Sequence, residues 1–147
     1  MLVEKERPDR PNPVGEQRTP KQTLRLILFP MLATFICQRL YLHLVRVQHI
    51  YPGGYLLHHL FIGAVIVIFA GFTLAFGARR GLLGRLAPAA LGIGSAMVLD
   101  EITYLVATHG TDEDYVSTVS LSGAVVLMFM TGEWYFHAAF SSSRMSA

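Results

Sequence analysis

The sequence predicts an all-α fold, an antiparallel four-helix transmembrane bundle with both termini in the cytoplasm, and three observations carry that expectation. The composition is the first: 52% of the residues are hydrophobic, only 15% are charged and mean hydropathy is +0.44. A soluble globular domain carries about 25% charged residues. The second is a set of four apolar stretches, each reaching the roughly 20 residues that cross a bilayer at about 1.5 Å per residue. The third is the punctuation between them, short connectors rich in glycine, proline or charge that turn each helix back on the one before.

Residues 1–22 form a polar tail in which Pro8, Pro11, Pro13 and Pro20 interrupt a run of charged side chains, a composition that buries no core. The transmembrane domain follows over 23–140, and a short tail closes the chain over 141–147. Helix one is expected over 24–45; its apolar run is too long for a cleaved signal peptide, and no small-residue cleavage pattern follows it. Tyr51-Pro52-Gly53-Gly54 signals a turn, after which helix two is expected over 55–76. A basic hairpin over 77–84, with Arg79, Arg80 and the adjoining Arg85, leads to helix three over 86–106, where Pro88 falls in the first turn. The connector over 109–114 offers Asp112 or Asp114 as the cap of helix four, expected over 116–136.

Basic residues set the orientation. Lys5, Arg7, Arg10, Arg18, Lys21 and Arg25 lie before or at the start of helix one, three arginines lie between helices two and three, and Arg144 lies in the C-terminal tail. All fall on one side of the bundle, which makes that side cytoplasmic and the chain a multi-pass protein of the inner cell membrane. The bilayer is therefore the first partner, and the basic tail suits anionic lipid. Nucleic acid is not expected, because no aromatic residues interleave with the cations. Arg39 and Arg46 run against the charge rule and must snorkel or find an anion. A lone cysteine, Cys37, excludes an intrachain disulfide.

Function is sought at Asp100 and Glu101, side by side in the apolar run of helix three. A carboxylate deep in a spanning helix costs roughly 2.5–3.5 kcal/mol, so the pair demands a cation, a proton or water. With the helices laid out as above, His58 and His59 on helix two and Arg39 and His43 on helix one fall at the same level, beneath the outer face. Adjacent residues diverge by about 100° around a helix, so one member of each pair is expected to point inward. His59 shares a face with the small residues Gly63 and Ala70, and Asp100 shares one with Gly92, Ala96 and Tyr104. His58 aligns instead with Phe61 and Ile62, and Glu101 with Met97 and Leu105, turned toward Arg39.

Imidazoles and carboxylates from facing helices are the ligands that bind zinc, iron or manganese inside bundles. The expected metal ligands are His58, His59, Asp100 and Glu101, with His43 or His49 as further donors. In a catalytic version Glu101 is a second ligand or general base and Tyr104 hydrogen-bonds a ligand or a carboxylate. No Glu-x-x-His, HExxH or CxxC spacing accompanies these residues. The same side chains also suit a non-enzymatic membrane subunit, in which Arg39 pairs with Glu101 and a histidine pairs with Asp100, His43 assisting as an ion-pair partner. Proton or ion translocation is the third reading, weakened by the lack of polar residues in the other half of helices one to three. Glu133 and His137 are spaced to pair, but Trp134, Tyr135 and Phe136 beside them mark an interfacial belt. The Gly/Ala seams of helices two and three suit a homo-oligomer as well as packing within one chain.

The segments Leu57-His58-His59-Leu60-Phe61-Ile62-Gly63, then 92–101 ending in Leu99-Asp100-Glu101, then Asp114-Tyr115, resemble those of a group of small, functionally uncharacterised bacterial integral membrane proteins. The resemblance covers about the central half of the chain. It implies a four-helix membrane protein with a His/Asp/Glu centre and brings no reaction with it. Those proteins continue with Tyr-Trp-Ser where this chain has Tyr115-Val116-Ser117, so an aromatic residue of that pattern is missing here.

Overall fold

The computed structural model describes residues 18–45, 58–76, 81–109 and 111–144. The turn expected over 51–54, most of the polar tail, Arg46 and His49 lie outside the described residues. The elements are α1 (Pro20–Leu44), α2 (His59–Phe76), α3 (Gly81–Ala107), the single turn α4 (Asp112–Tyr115) and α5 (Thr118–Arg144), with no strand among the described residues. The four long helices are each long and apolar enough to cross a membrane, as a multi-pass membrane protein requires. Their outward faces carry Phe29, Phe69, Phe72, Phe129 and Trp134, all exposed, which suits acyl chains and not water.

Local chemistry explains where the helices begin. Thr19 and Gln22 form a capping box, each side chain accepting from the other's backbone N–H, and Pro20 follows at the first helical position, so α1 starts a turn earlier than expected. Helix α3 also starts early, at Gly81 with its φ of 76°. Pro88 therefore lies inside α3 and not in its first turn. A proline there lacks the N–H that would donate to the carbonyl four residues back, that of Gly84. Arg18 Nη1 supplies the missing donor, reaching the Gly84 carbonyl at 2.7 Å. At the other connector neither Asp112 nor Asp114 caps the last long helix. Thr111 and Asp114 form the capping box of α4, and Ser117 Oγ accepts from Ser120 N at 3.2 Å to open α5.

The bundle is asymmetric, with α3 at its centre. Helix α3 packs on α1, α2 and α5, whereas α2 packs extensively on α3 alone. Burial follows: 33% of the α3 span is buried and only 11% of the α2 span. Small residues permit the close approaches. A methyl group on Gly92 would lie 2.1 Å from the Ile27 carbonyl oxygen of α1, one on Gly94 would lie 2.7 Å from the Gly63 carbonyl oxygen of α2, and one on Gly123 would lie 2.1 Å from Thr103 Cγ2. Gly63 of α2 and Gly92 and Gly94 of α3 are thus packed within the chain. On the other side Met31, Phe35, Ala96, Ala124 and Met128 form the apolar core between α1, α3 and α5.

Side-chain contacts fix which ends meet. Arg18 on Gly84, together with the Lys21 ammonium 5.5 Å from the Phe140 ring, brings the starts of α1 and α3 to the end of α5. At the opposite end the last turns of α1 and α3 meet the first turns of α2 and α5. Both acidic residues of α3 sit there.

Candidate functional site

Asp100 and Glu101 are the most deeply buried charged groups described, 0% and 1% exposed. Being consecutive on a helix they point to different neighbours. Asp100 faces α1 and α4. Its Oδ1 accepts from Arg39 Nε at 2.6 Å, and its Oδ2 accepts from the Tyr115 hydroxyl at 2.5 Å. Arg39 is itself buried, and its other nitrogens donate to the Tyr115 carbonyl at 2.7 Å and to Ser120 Oγ at 3.1 Å. Its guanidinium lies 5.0 Å from the Tyr115 ring centre, within cation–π range. One cation from α1 thereby holds α3, α4 and the start of α5 together.

Glu101 faces the start of α2. Helix α2 has His58 at its N-cap position, a side chain with no oxygen to offer the free N–H groups of the first turn. Glu101 Oε2 does that work from the neighbouring helix, accepting from Leu60 N at 2.6 Å, with its charge at the positive end of the α2 dipole. His58 Nδ1 bonds Glu101 Oε1, and His59 Nδ1 stands 3.2 Å from Oε2. His59 also turns Nε2 to the Tyr115 hydroxyl at 3.0 Å, so its ring bridges the two halves of the centre. The two imidazoles are the open side of the assembly, with side chains 26% and 24% exposed.

Several expectations are corrected here. Arg39 pairs with Asp100 and not with Glu101. Both histidines engage, where only His59 was expected to point inward, because His58 precedes the helix and the 100° rule does not apply to it. His43 is exposed, and its ring bonds the Arg39 carbonyl of its own helix at 3.1 Å instead of joining an ion pair. Tyr104 is buried with its ring 4.8 Å from that of Tyr115 in an edge-to-face arrangement. Glu133 and His137 approach to 3.8 Å on an exposed face, an ion pair of little energetic weight. Tyr115 and Ser120 were not singled out for this role. The first sits in the connector and the second on the face of α5, and neither carries a charge that hydropathy would flag.

Every oxygen of both carboxylates is already engaged by a protein donor. Among the described residues, no group of three or more His, Cys, Asp and Glu side chains is arranged to hold a metal ion. Burial, then the adjacent Asp100 carboxylate, pushes the Tyr115 phenol well above its ordinary pKa, so its hydroxyl remains a donor. Compared with protein-family models, with curated proteins and with solved structures, the chain matches none. Its site is therefore read from its own geometry.

Proposed function

We propose that this chain is a non-enzymatic component of the inner membrane in which a buried network, Arg39–Asp100–Tyr115–His59–Glu101–His58, locks four antiparallel helices together, both termini being cytoplasmic. The observation that carries this reading is the full engagement of the two carboxylates: Arg39 and Tyr115 on Asp100, and His58, His59 and Leu60 N on Glu101. Removing one member of such a set leaves an uncompensated buried charge, which costs far more than the set itself contributes. The arrangement of helix ends supports the up-down order, and the basic residues of 1–25 support the cytoplasmic side and contact with anionic lipid.

Metal binding by His58, His59, Asp100 and Glu101, with or without catalysis by Glu101 and Tyr104, is the competing proposal. Elemental analysis of detergent-purified protein separates the two. The structural reading expects no stoichiometric zinc, iron or manganese and a large loss of stability in Arg39→Leu. Stoichiometric metal that disappears in His59→Ala, with Arg39→Leu as stable as the parent, would sink it. Self-association is not needed to satisfy any polar group named above; sedimentation in detergent tests it separately.

A further inference from the structure

We infer that this chain forms a two-fold dimer within the membrane through one face of α1, with Gln38 of one copy paired to Gln38 of the other. The contact uses none of Arg39, Asp100 and Glu101 and so goes beyond the buried network.

A polar group without a partner points to it. Gln38 is half-buried on α1, and its amide oxygen is fully buried with no hydrogen-bond partner, the one side-chain nitrogen or oxygen in that condition among the described residues. The surrounding backbone cannot relieve it, because each N–H in the interior of α1 already donates to the carbonyl four residues back. Acyl chains offer no donor either. An amide oxygen shut away unpaired costs free energy that a contact with another polar group would recover.

Helical spacing says where that contact lies. Gln38 follows Met31 by seven residues and Thr34 by four, which puts it at the border of two faces of α1. One face holds Ile27 and Met31, which meet Gly92 of α3. The other holds Pro30, Thr34, Cys37 and Tyr41, spaced four, three and four as in a seam between two helices. Leu28 and Arg39, which reach α5, lie round the opposite side. Helix α1 has no extensive contact with α2, so the second face has no neighbour within the chain; Cys37 and Tyr41 on it are exposed. Pro30, Thr34 and Cys37 are also shorter than the Phe29, Leu32, Ile36 and Leu40 that cover the rest of the exposed surface, and they let a second helix come close.

The amide selects the occupant. It donates and accepts, so the same residue related by a two-fold axis along the membrane normal satisfies both functions, the NH2 of each copy donating to the oxygen of the other. A second copy of this chain sits in the same membrane with the same orientation, which brings the two Gln38 residues to equal depth. The side chain reaches its counterpart by changing rotamer, and the oxygen leaves its unpaired position.

Sedimentation equilibrium of the full-length protein in mild-detergent micelles, over a range of protein-to-detergent ratios, should show a reversible monomer–dimer equilibrium. Gln38→Leu should weaken it about tenfold. The same variant should melt at the wild-type temperature or above, since the unpaired oxygen goes with the amide. A second measurement needs no change at Gln38 and serves if that variant does not fold. Oxidation with iodine in native membranes should join two wild-type chains through Cys37, the single cysteine of the sequence. It should fail to join the double variant Cys37→Ser with Ile36→Cys, whose thiol stands about 100° away round the helix. A wild type that is monomeric at every ratio, a Gln38→Leu protein that dimerises as strongly as its parent, or equal cross-linking through position 36 overturns the inference. An Arg39→Leu protein as stable as its parent would overturn the structural reading of the buried network instead and leave the dimer standing.

Discussion

Asp100 and Glu101 are neighbours in sequence and equal in burial, yet the two sides of α3 solve the same electrostatic problem differently. On the α1/α5 side the anion meets a permanent cation, Arg39, whose remaining donors reach two further elements. On the α2 side it meets a backbone amide and two imidazoles, groups with partial or conditional charge. Packing follows the same division: an apolar core joins α1, α3 and α5, while α2 rests on α3 through the Gly63–Gly94 approach. A helix held by a fixed ion pair and a methionine-rich core is the rigid half. A helix held by a borrowed cap and histidines is the less buried half.

The largest expected effect attacks the rigid half. Arg39→Leu strands Asp100 and should cost about 3–5 kcal/mol in SDS unfolding; a loss below about 1 kcal/mol would mean that the pair contributes little and the comparison is empty. Glycine substitutions come next, at about 1–3 kcal/mol each for overpacking a close helix contact. Gly92→Ala should raise amide exchange across α1 and α3, whereas Gly94→Ala should raise it in α2 and leave α5 protected. Equal exchange everywhere in both variants would show the bundle to be one cooperative unit. Tyr115→Phe removes the hydroxyl between the two halves and should cost about 1–3 kcal/mol, by thermal melting in detergent. A neutral result would remove Tyr115 from the network.

Smaller effects lie away from the centre. Arg18→Ala leaves the Gly84 carbonyl without its donor, for about 0.5–1.5 kcal/mol, and the loss should shrink in a Pro88→Ala background, where the helix supplies its own N–H. Additive losses in that double-mutant cycle would disprove the substitution of one donor for another. The slightest effect is at α4. Hydrogen bonds from the Thr111 side chain and backbone hold the Asp114 carboxyl below its ordinary pKa of 3.8. A depressed carboxylate stabilises above its unfolded pKa and loses that contribution as pH falls through the folded one. Amide protection at Thr111 and Asp114 should therefore be intact above roughly pH 5 and fade toward pH 2. Protection that does not change across that range would deny the cap any role.

Much of the helical layout was legible, because hydropathy over about 20 residues is a long and redundant signal. Arg39 was legible as a cation in search of an anion for the same reason. Its partner was not: choosing between Asp100 and Glu101 depends on where α1 lies around α3, and that is set by Gly92 against Ile27, a packing detail with no periodic signature. The engagement of His58 is not legible because the sequence places it inside helix two, expected over 55–76, whereas α2 begins at His59 and the 100° spacing does not reach His58. The internal position of Pro88 is not legible because the hairpin expected over 77–84 covers the first residues of α3, although Arg18 supplies the donor that makes the longer helix tolerable.

Arg39 lies 61 residues before Asp100 in the chain, and Tyr115 and Ser120 lie after it. During synthesis the guanidinium therefore emerges ahead of the carboxylate it will neutralise, so α3 enters lipid beside a waiting counter-ion and its remaining acceptors and donors are completed as the last helix arrives. Biogenesis of this protein should consequently stall at α3, and not at α1, when Arg39 is lost, a defect readable as failed insertion of the third segment by glycan tagging of successive loops.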